Sequence, residues 1–199
     1  MSKRQLREVR SIAPDPTALK ALAHPLRLRM LGMLRLDGPA TASGLAARLG
    51  LNSGATSYHL RQLALHGFIV EDTERGNARD RWWKAAHEST HYEDGDDQAL
   101  EAGMAFSQAA LNWQMLQMQQ ALRNHPHQSP EWRSASTISD YYIPLTAEQA
   151  ETLVKKVQDL LWEAMQAAPP LGSAYEPGVE AFAIMLHAFP RPPEDDGSK

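Results

Sequence analysis

The chain has 199 residues, 43% of them apolar, which is enough for one sizeable domain or two small ones. It contains no cysteine, which excludes disulfide bonds, thiolate zinc sites and cysteine nucleophiles and agrees with a cytoplasmic protein. No apolar run of the kind a signal peptide needs follows the basic start. The longest uncharged stretch, between Glu101 and Arg123, is rich in Gln, so we expect no membrane span.

Charge is distributed unevenly along the chain. Residues 1–87 contain 14 Lys and Arg against 7 Asp and Glu, whereas residues 88–199 contain 6 against 17. A basic front half is typical of a surface that binds the phosphate backbone of nucleic acid, and the acidic half is expected to have a different role.

The chain begins with a basic N-terminal arm, residues 1–16, that ends at two prolines. From Thr17 the apolar residues recur at spacings of three and four, which predicts a helix. A second helix follows Pro25 and ends at Asp37-Gly38, where glycine provides a C-cap.

Two further short helices are predicted on either side of the tripeptide "GLN". Thr41 and Asn52 are suited to be their N-caps. In the second of these helices Thr56, Leu60 and Leu63 line up on one side, at spacings of four and three. Two short helices joined in this way form a helix-turn-helix.

After Gly67 the pattern changes from helix to strand. The segments "FIVEDTE" and "RWWKAA" are rich in β-forming residues and flank "RGNARD", a turn rich in arginine, so they predict a hairpin. A helix-turn-helix followed by a hairpin is a winged helix, which we assign to residues 17–92.

The acidic run "YEDGDDQ" marks a boundary, and a long helix is predicted beyond it, over about residues 97–124. Its apolar stripe consists of Leu100, Met104, Leu111, Met115, Met118 and Leu122. A second row widens the apolar surface: Phe106, Trp113 and Leu116. We expect this helix to pack on two partners.

The remainder of the back half is predicted to contain one more helix and two strands. Thr146 and Gln149 form a capping box for a helix to about residue 167, with its buried side formed by Ala150, Leu153, Val157, Leu160 and Leu161. The segments "STISDYYIPL" and "VEAFAIMLHAF" are strand candidates, and residues 190–199 are expected to be disordered.

The fold class predicted from these elements is mainly α with small β. It comprises a winged helix-turn-helix domain and, over residues 97–189, a helical domain for dimerisation and possible effector binding that contains a short two-stranded element.

The predicted second helix of the helix-turn-helix has the surface of a recognition helix, because the major groove favours short polar groups near the helix N-terminus. With its apolar side turned inward, the outward residues are Ser53, Gly54, Ser57, Tyr58 and Arg61. The wing adds residues that suit phosphates or a narrow minor groove: Arg75, Asn77, Arg79 and Arg81. The alternative is that both are solvated polar surfaces.

Three stretches, "LKALAHPLRLRMLGML", "ASGLAARLGLNSGATSYHLRQLALHGFI" and "RGNARDRWWKA", resemble the winged-helix repressors of the ArsR type over roughly residues 17–86. The resemblance implies a homodimer that binds a pseudo-palindromic operator in double-stranded DNA and represses until an effector changes it. It places the DNA contacts on the same five residues of the helix, and it implies that His59 packs or hydrogen-bonds locally. This chain lacks the Cys-x-Val-Cys type of metal-sensing motif and extends well beyond the resemblance.

Two routes for an effector signal are open. His87 and His91 are four residues apart and would share a face in a helix, which makes them a weak candidate for a metal site beside the alternative of a polar linker. A pocket for a small organic effector is the other route, with the alternative that its residues are only core and dimer contacts. The candidate lining residues are Met104, Phe106, Trp113, Met115, Met118, Tyr141, Tyr142 and Trp162.

Enzyme motifs are missing from the sequence: it has no nucleophile elbow, phosphate loop or dinucleotide fingerprint. We therefore predict no catalytic activity and no cofactor. The predicted function is a sequence-specific DNA-binding transcriptional regulator, a dimeric repressor released by an effector. The alternative is a protein-interaction module built on a winged helix that no longer binds DNA.

Overall fold

A computed structural model describes residues 6–75, 80–91 and 96–192. Among these residues no helix is both long and apolar enough to cross a membrane. The elements in chain order are β1 (Ser11–Ile12), α1 (Pro16–Leu22), α2 (Pro25–Leu36), β2 (Ala40–Thr41), α3 (Ala42–Leu49), α4 (Ser53–Leu65), β3 (Ile69–Glu71), β4 (Trp82–Ala85), β5 (Ser89–Thr90), α5 (Asp97–Asn124), a 3-10 turn (His125–His127), α6 (Pro130–Ala135) and α7 (Ala147–Ala167).

The front half forms the predicted winged helix. Helices α3 and α4 make the helix-turn-helix, and β3 and β4 make the antiparallel hairpin of the wing, with β2 added on the other side of β4. Both predicted N-caps are confirmed: Thr41 Oγ1 accepts from the Gly44 amide at 3.1 Å, and Asn52 Oδ1 accepts from the Ala55 amide at 2.8 Å. These side chains satisfy amides that the helices themselves leave unpaired, and so they set where α3 and α4 begin.

The hydrophobic core lies where the helices of the front half meet the three-stranded sheet. Its largest fully buried apolar side chains come from the four helices α1 to α4, from β3 and from the residue before β3: Leu22, Met30, Leu31, Leu45, Leu60, Leu63, Ile69 and Phe68. Trp83 of β4 closes the core from the side of the sheet. This packing fixes the orientation of α4.

The N-terminal arm is part of this packed region in its described residues. Strand β1 pairs in parallel with β5, and Val9 is buried. Arg7 forms a bidentate ion pair with Glu88, with Nη1 and Nη2 at 2.8 and 2.7 Å from the two carboxylate oxygens. The described part of the arm is therefore held against the exit of the wing.

The long helix α5 has the predicted bounds, but the side that faces the winged helix is not the predicted stripe. The buried residues of α5 are Ala102, Gly103 and Ala109, with Phe106 and Trp113 partly buried beside them. Small side chains let α5 approach α1 and α2 closely, which the larger residues of the stripe do not allow. The predicted stripe lies on the opposite side of α5 and is exposed.

Helix α7 also has the predicted bounds, and its capping box is confirmed, because Thr146 and Gln149 each bond the other's backbone amide. Its predicted buried side is wrong for the single chain, since the structure describes all of α7 and buries none of its residues. Leu160, for example, is 66% exposed.

The two strands predicted in the back half do not form. Residues 136–146 and 179–192 contain neither helix nor strand in the described chain, although they are rich in β-forming residues. A strand needs a neighbour to take up its backbone hydrogen bonds, and neither segment finds one here. The two-stranded sheet pairs β1 with β5 instead, so the class, mainly helical with small sheets, is confirmed.

Candidate DNA-binding surface

Helix α4 has one fully buried side and one exposed side. Thr56, Leu60 and Leu63 are each 0% exposed, as their spacing predicts. On the other side Ser53, Gly54 and Arg61 are exposed, Ser57 is half-buried and Tyr58 is 53% exposed. The five predicted contact residues therefore lie together on one accessible surface of α4.

This surface is free of negative side chains from its own helix and from the helix before it. Residues 38–70, which contain α3 and α4, include no Asp or Glu. The N-terminus of α4 adds the partial positive charge of its unpaired amides. Both features favour the approach of a phosphate group.

Gly54 lies beside the N-cap of α4. A side chain at this position would place its Cβ 3.3 Å from Asn52 Oδ1, the atom that caps the helix. A residue larger than glycine would therefore press on the cap and would also cover the helix N-terminus. Glycine keeps that end of the helix open to a ligand.

Two imidazole rings lie behind the exposed side of α4. The His59 ring centroid is 4.6 Å from that of His24 and 5.4 Å from that of Tyr58. Burial, together with the nearby charge of Arg27, lowers the pKa of His24, and His24 Nδ1 accepts a hydrogen bond from the Leu26 amide. Burial likewise lowers the pKa of His59. The His59 ring thus contacts Tyr58 edge-on, and the His24 ring packs on His59.

Arg27, on the first turn of α2, is a residue that the sequence analysis missed. Its burial lowers its pKa, and the interaction with Tyr58 opposes that shift. Its Nε is buried and finds no hydrogen-bond partner among the described residues. This places another cation beside the recognition surface. The sequence does hold a signal for Arg27: it lies three residues after the N-cap His24, so both side chains are on one side of the first turn of α2.

The wing arginines that the structure describes are paired with carboxylates. Arg75 Nε is 3.4 Å from Asp72 Oδ2, and Lys84 Nζ is 3.0 Å from the other oxygen of this buried carboxylate. Arg81 Nε is 3.1 Å from Glu71 Oε2. Both pairs are formed through Nε and both arginine side chains are 59% exposed, so their other guanidinium N–H groups are accessible to a phosphate.

Two other wing residues predicted to contact DNA, Asn77 and Arg79, lie outside the described residues.

Arg81 also stacks over Trp83, with its guanidinium carbon 5.6 Å from the ring centroid. This contact anchors the base of the hairpin to the core, because Trp83 is buried there.

The residues predicted to line an effector pocket are not brought together within one chain. Trp113 packs on α2 beside Gly32, with Arg29 5.9 Å from its ring centroid, and Phe106 packs against the core. The others are exposed on α5, on α7 or in the segment between them: Met104, Met115, Met118, Tyr141, Tyr142 and Trp162. A cleft of about 220 Å³ includes Trp113 but is otherwise lined mostly by polar side chains of α2, α3 and α5.

The helical premise for a metal site at His87 and His91 is wrong. The two residues flank β5, and four residues along a strand separate two side chains by about 13 Å. The backbone oxygen of His87 accepts from Arg35 Nε at 2.9 Å, and burial lowers the pKa of His87. In the described ranges no group of three or more His, Asp or Glu side chains is placed to hold a metal ion.

Arg35 joins α2 to this strand. It donates from its Nη2 to Thr90 Oγ1 at 2.8 Å, and its burial lowers its pKa to about 10, partly opposed by Glu88. The segment after the wing is therefore fixed to the winged helix by charge-assisted hydrogen bonds rather than serving as a loose linker.

Residues 22–72 match the protein-family model described as "Helix-turn-helix domain". Among solved structures, reduced HlyU from Vibrio cholerae is 24% identical, over 45% of this chain and 83% of that chain, with a TM-score of 0.31. The homodimeric winged helix-turn-helix DNA-binding domain of a possible ArsR-family regulator from Mycobacterium bovis is 23% identical, over 48% of this chain and 80% of that chain, with a TM-score of 0.32.

A third structure, an ArsR family transcriptional regulator, is 28% identical, over 51% of this chain and 97% of that chain, with a TM-score of 0.31. A comparison with curated protein sequences finds no match.

The family match confirms the helix-turn-helix, and the sheet adds the wing. Residues 22–72 thus belong to a helix-turn-helix domain. The similar structures have low TM-scores, so the fold assignment rests on the elements described above and on this match.

Proposed function

We propose that this protein is a dimeric, sequence-specific repressor of transcription that inserts α4 of each copy into successive major grooves of its operator. The observation that carries the proposal is the two-sided character of α4. Its inward side is fixed in the core, and its outward side offers small polar groups, one tyrosine and one arginine. Base edges in the major groove accept such groups, and the two-fold dimer sets half-sites about one helical turn apart.

Each residue type has a distinct role in this proposal. Ser53, Ser57 and Tyr58 contact base edges or phosphates at the N-terminal half of α4, and Gly54 permits close approach. Arg61 binds a phosphate or a guanine. The wing contributes phosphate contacts from Arg75, Asn77, Arg79 and Arg81. The carboxylate-free surface of residues 38–70 supports these roles.

Dimerisation and effector release belong to the back half in this proposal. Residues 97–189 join the two copies in the cytoplasm, and a small organic effector binds at their apolar side chains and releases the DNA. Support comes from the large number of Leu, Met and aromatic residues that this region leaves exposed in the single chain. In a screen of apolar compounds, we expect at least one compound to release the protein from its DNA. The Trp162→Ala variant should no longer respond to that compound.

Selection of bound sequences from a random DNA library tests the DNA-binding proposal, because it reports binding, site symmetry and half-site spacing together. With the selected site, Arg61→Ala and Arg79→Ala are each expected to weaken binding and to lower the salt slope by about 1. Ser57→Ala is expected to alter base preference more than salt dependence. Arg123→Ala, at the end of α5, is the matched control and should bind as the parent does.

Equal binding by all four variants would show that α4 and the wing are not the contact surface. Failure of the parent protein to select any sequence would instead favour the protein-interaction module.

A further inference from the structure

Helix α5 has two apolar sides, and the chain covers only one of them. At 100° per residue, the stripe of Leu100, Met104, Leu111, Met115, Met118 and Leu122 lies about 160° from the buried side. These side chains are between 44% and 66% exposed. The stripe is about 33 Å long, and no charged residue lies between Glu101 and Arg123. It is a long, neutral, apolar surface without a partner among the residues that the structure describes.

Helix α7 has a second uncovered surface of the same kind. Its apolar residues recur on one face, and its charged residues lie on the others: Glu148, Glu151, Lys155, Lys156, Asp159 and Glu163. An amphipathic helix gains most of its stability by burying its apolar face, yet α7 buries none of its residues here. Its length of about 31 Å matches that of the stripe on α5.

The accessible surface of the chain is larger than that expected for a folded monomer of its mass. The chain exposes 14632 Å², whereas a folded monomer of 22.1 kDa exposes about 9,300 Å². An excess of about 5,300 Å² is more than an obligate dimer interface removes from one protomer. Burial of both uncovered faces against a second copy removes part of this excess, and the segments without helix or strand, residues 136–146 and 179–192, also contribute to it.

The C-terminal end of α7 is fixed to the winged helix of its own chain. The Arg7 amide donates to Gln166 O at 3.0 Å, and Arg7 Nε donates to Ala168 O at 2.8 Å. Beyond it, Gly172 packs so closely on Gly38 that a Cβ on Gly172 would lie 2.7 Å from Gly38 Cα. Held in this way, α7 leaves its own chain's α5 stripe uncovered.

We propose that two copies of the chain exchange α7, so that the apolar face of each α7 packs on the α5 stripe of its partner. The proposal rests on the dimer of the proposed function and specifies its contact. The two-fold axis of the dimer then creates two equivalent contacts, in each of which the α7 face of one copy covers the α5 stripe of the other. The neutral surface of α5 presents no like charge to the Glu and Lys residues that flank the apolar face of α7.

Cysteine cross-linking tests the exchange directly, because the parent chain contains no cysteine. One version of the full chain carries a single cysteine on the α5 stripe, in turn L111C, M115C and M118C. A second version with a longer tag carries one on α7, in turn L153C, V157C and L160C. The two versions are co-expressed, oxidised and separated by mass, and circular dichroism with thermal unfolding confirms that each variant is folded.

We expect at least one pair of positions to give a covalent product of the mixed mass, containing one chain of each length. D159C, on the charged side of α7, is the matched control and should give no such product. Chains that carry both cysteines should link to each other rather than within themselves.

Three results would overturn the exchange. One is a link within a single chain when both cysteines are on it, which would place α7 on its own α5. Another is a dimer by light scattering that gives no link between α5 and α7, which would leave the dimeric repressor standing without the exchange. The third is a monomer that still binds DNA, which would remove the dimer and the exchange together.

Discussion

The two halves of the chain differ in where they place their apolar side chains. Among the described residues, every buried hydrophobic residue except Ala102 and Ala109 lies between Val9 and Trp83. The described ranges contain 25 exposed large hydrophobic residues, and 20 of these lie beyond residue 97. The front half therefore has a complete core of its own, whereas the back half has apolar material for a core that one chain does not assemble.

This difference indicates how stability and function are divided. Hydrophobic burial stabilises the front half through contacts within the chain, so that α4 is held in a fixed orientation. The back half gains comparable stability only when its exposed faces are covered. Exposed apolar surface of this extent marks an interaction site.

Truncation of a buried leucine in the front half should give the largest loss of stability. Leu60→Ala removes a side chain that is 0% exposed, so we expect the free energy of unfolding to fall by about 3 kcal/mol. Leu65→Ala, on the same helix but 73% exposed, should change it by less than about 0.5 kcal/mol. Urea unfolding followed by circular dichroism measures both, and similar losses in the two variants would mean that the core is wrongly assigned.

A smaller effect is expected where the two halves meet, at Arg7 and Glu88. Their bidentate ion pair is only 22% and 17% exposed, so a double-mutant cycle should give a coupling of about 1 kcal/mol. Arg7→Ala should cost more than Glu88→Ala, because Arg7 also donates to the backbone at the end of α7. Equal costs in the two single variants would contradict a role for Arg7 in holding α7.

The smallest expected effect is a pH dependence of stability that arises from two histidines of the front half, His24 and His59. Burial lowers the pKa of His24 and of His59 below 6.5, so the unfolded chain binds protons that the folded winged helix does not. The corresponding stability is present above about pH 6.5 and is lost as the pH falls below it. We expect the melting temperature to drop between about pH 7.5 and pH 5.5.

The double variant His24→Asn, His59→Gln should show a smaller drop in melting temperature, because it removes both titrating rings. Asn at position 24 keeps an N-cap acceptor for α2, so the helix start is retained. His125→Gln, at an exposed position after α5, is the control and should behave as the parent does. An unchanged pH dependence in the double variant would exclude these two rings as its source.

Local signals in the sequence predicted the elements well. The N-caps at Thr41 and Asn52, the capping box before α7 and the bounds of α5 depend on hydrogen bonds and periodicity within a few residues. The buried side of α4 was predictable for the same reason, because Thr56, Leu60 and Leu63 recur with the spacing of a core face.

The sequence did not predict which of several possible surfaces or side chains a residue contacts in the folded chain. Large apolar residues marked one side of α5 as its packing side, but the winged helix packs on the side with Ala102, Gly103 and Ala109. The ion pairs of Arg75 and Arg81 with carboxylates were hidden for a similar reason, since both partners lie in a hairpin whose pairing the charges alone do not specify.

By itself the sequence determined the helices, the winged helix-turn-helix and the outward residues of α4, because caps, turns and spacing act over one or two turns of chain. Only the tertiary structure decided which side of α5 faces the core, that His24 packs on the His59 ring beside Tyr58, and that the described residues leave α7 uncovered. These features depend on close approach and on the competition among distant partners. Local periodicity identifies an apolar face but does not identify the surface that covers it.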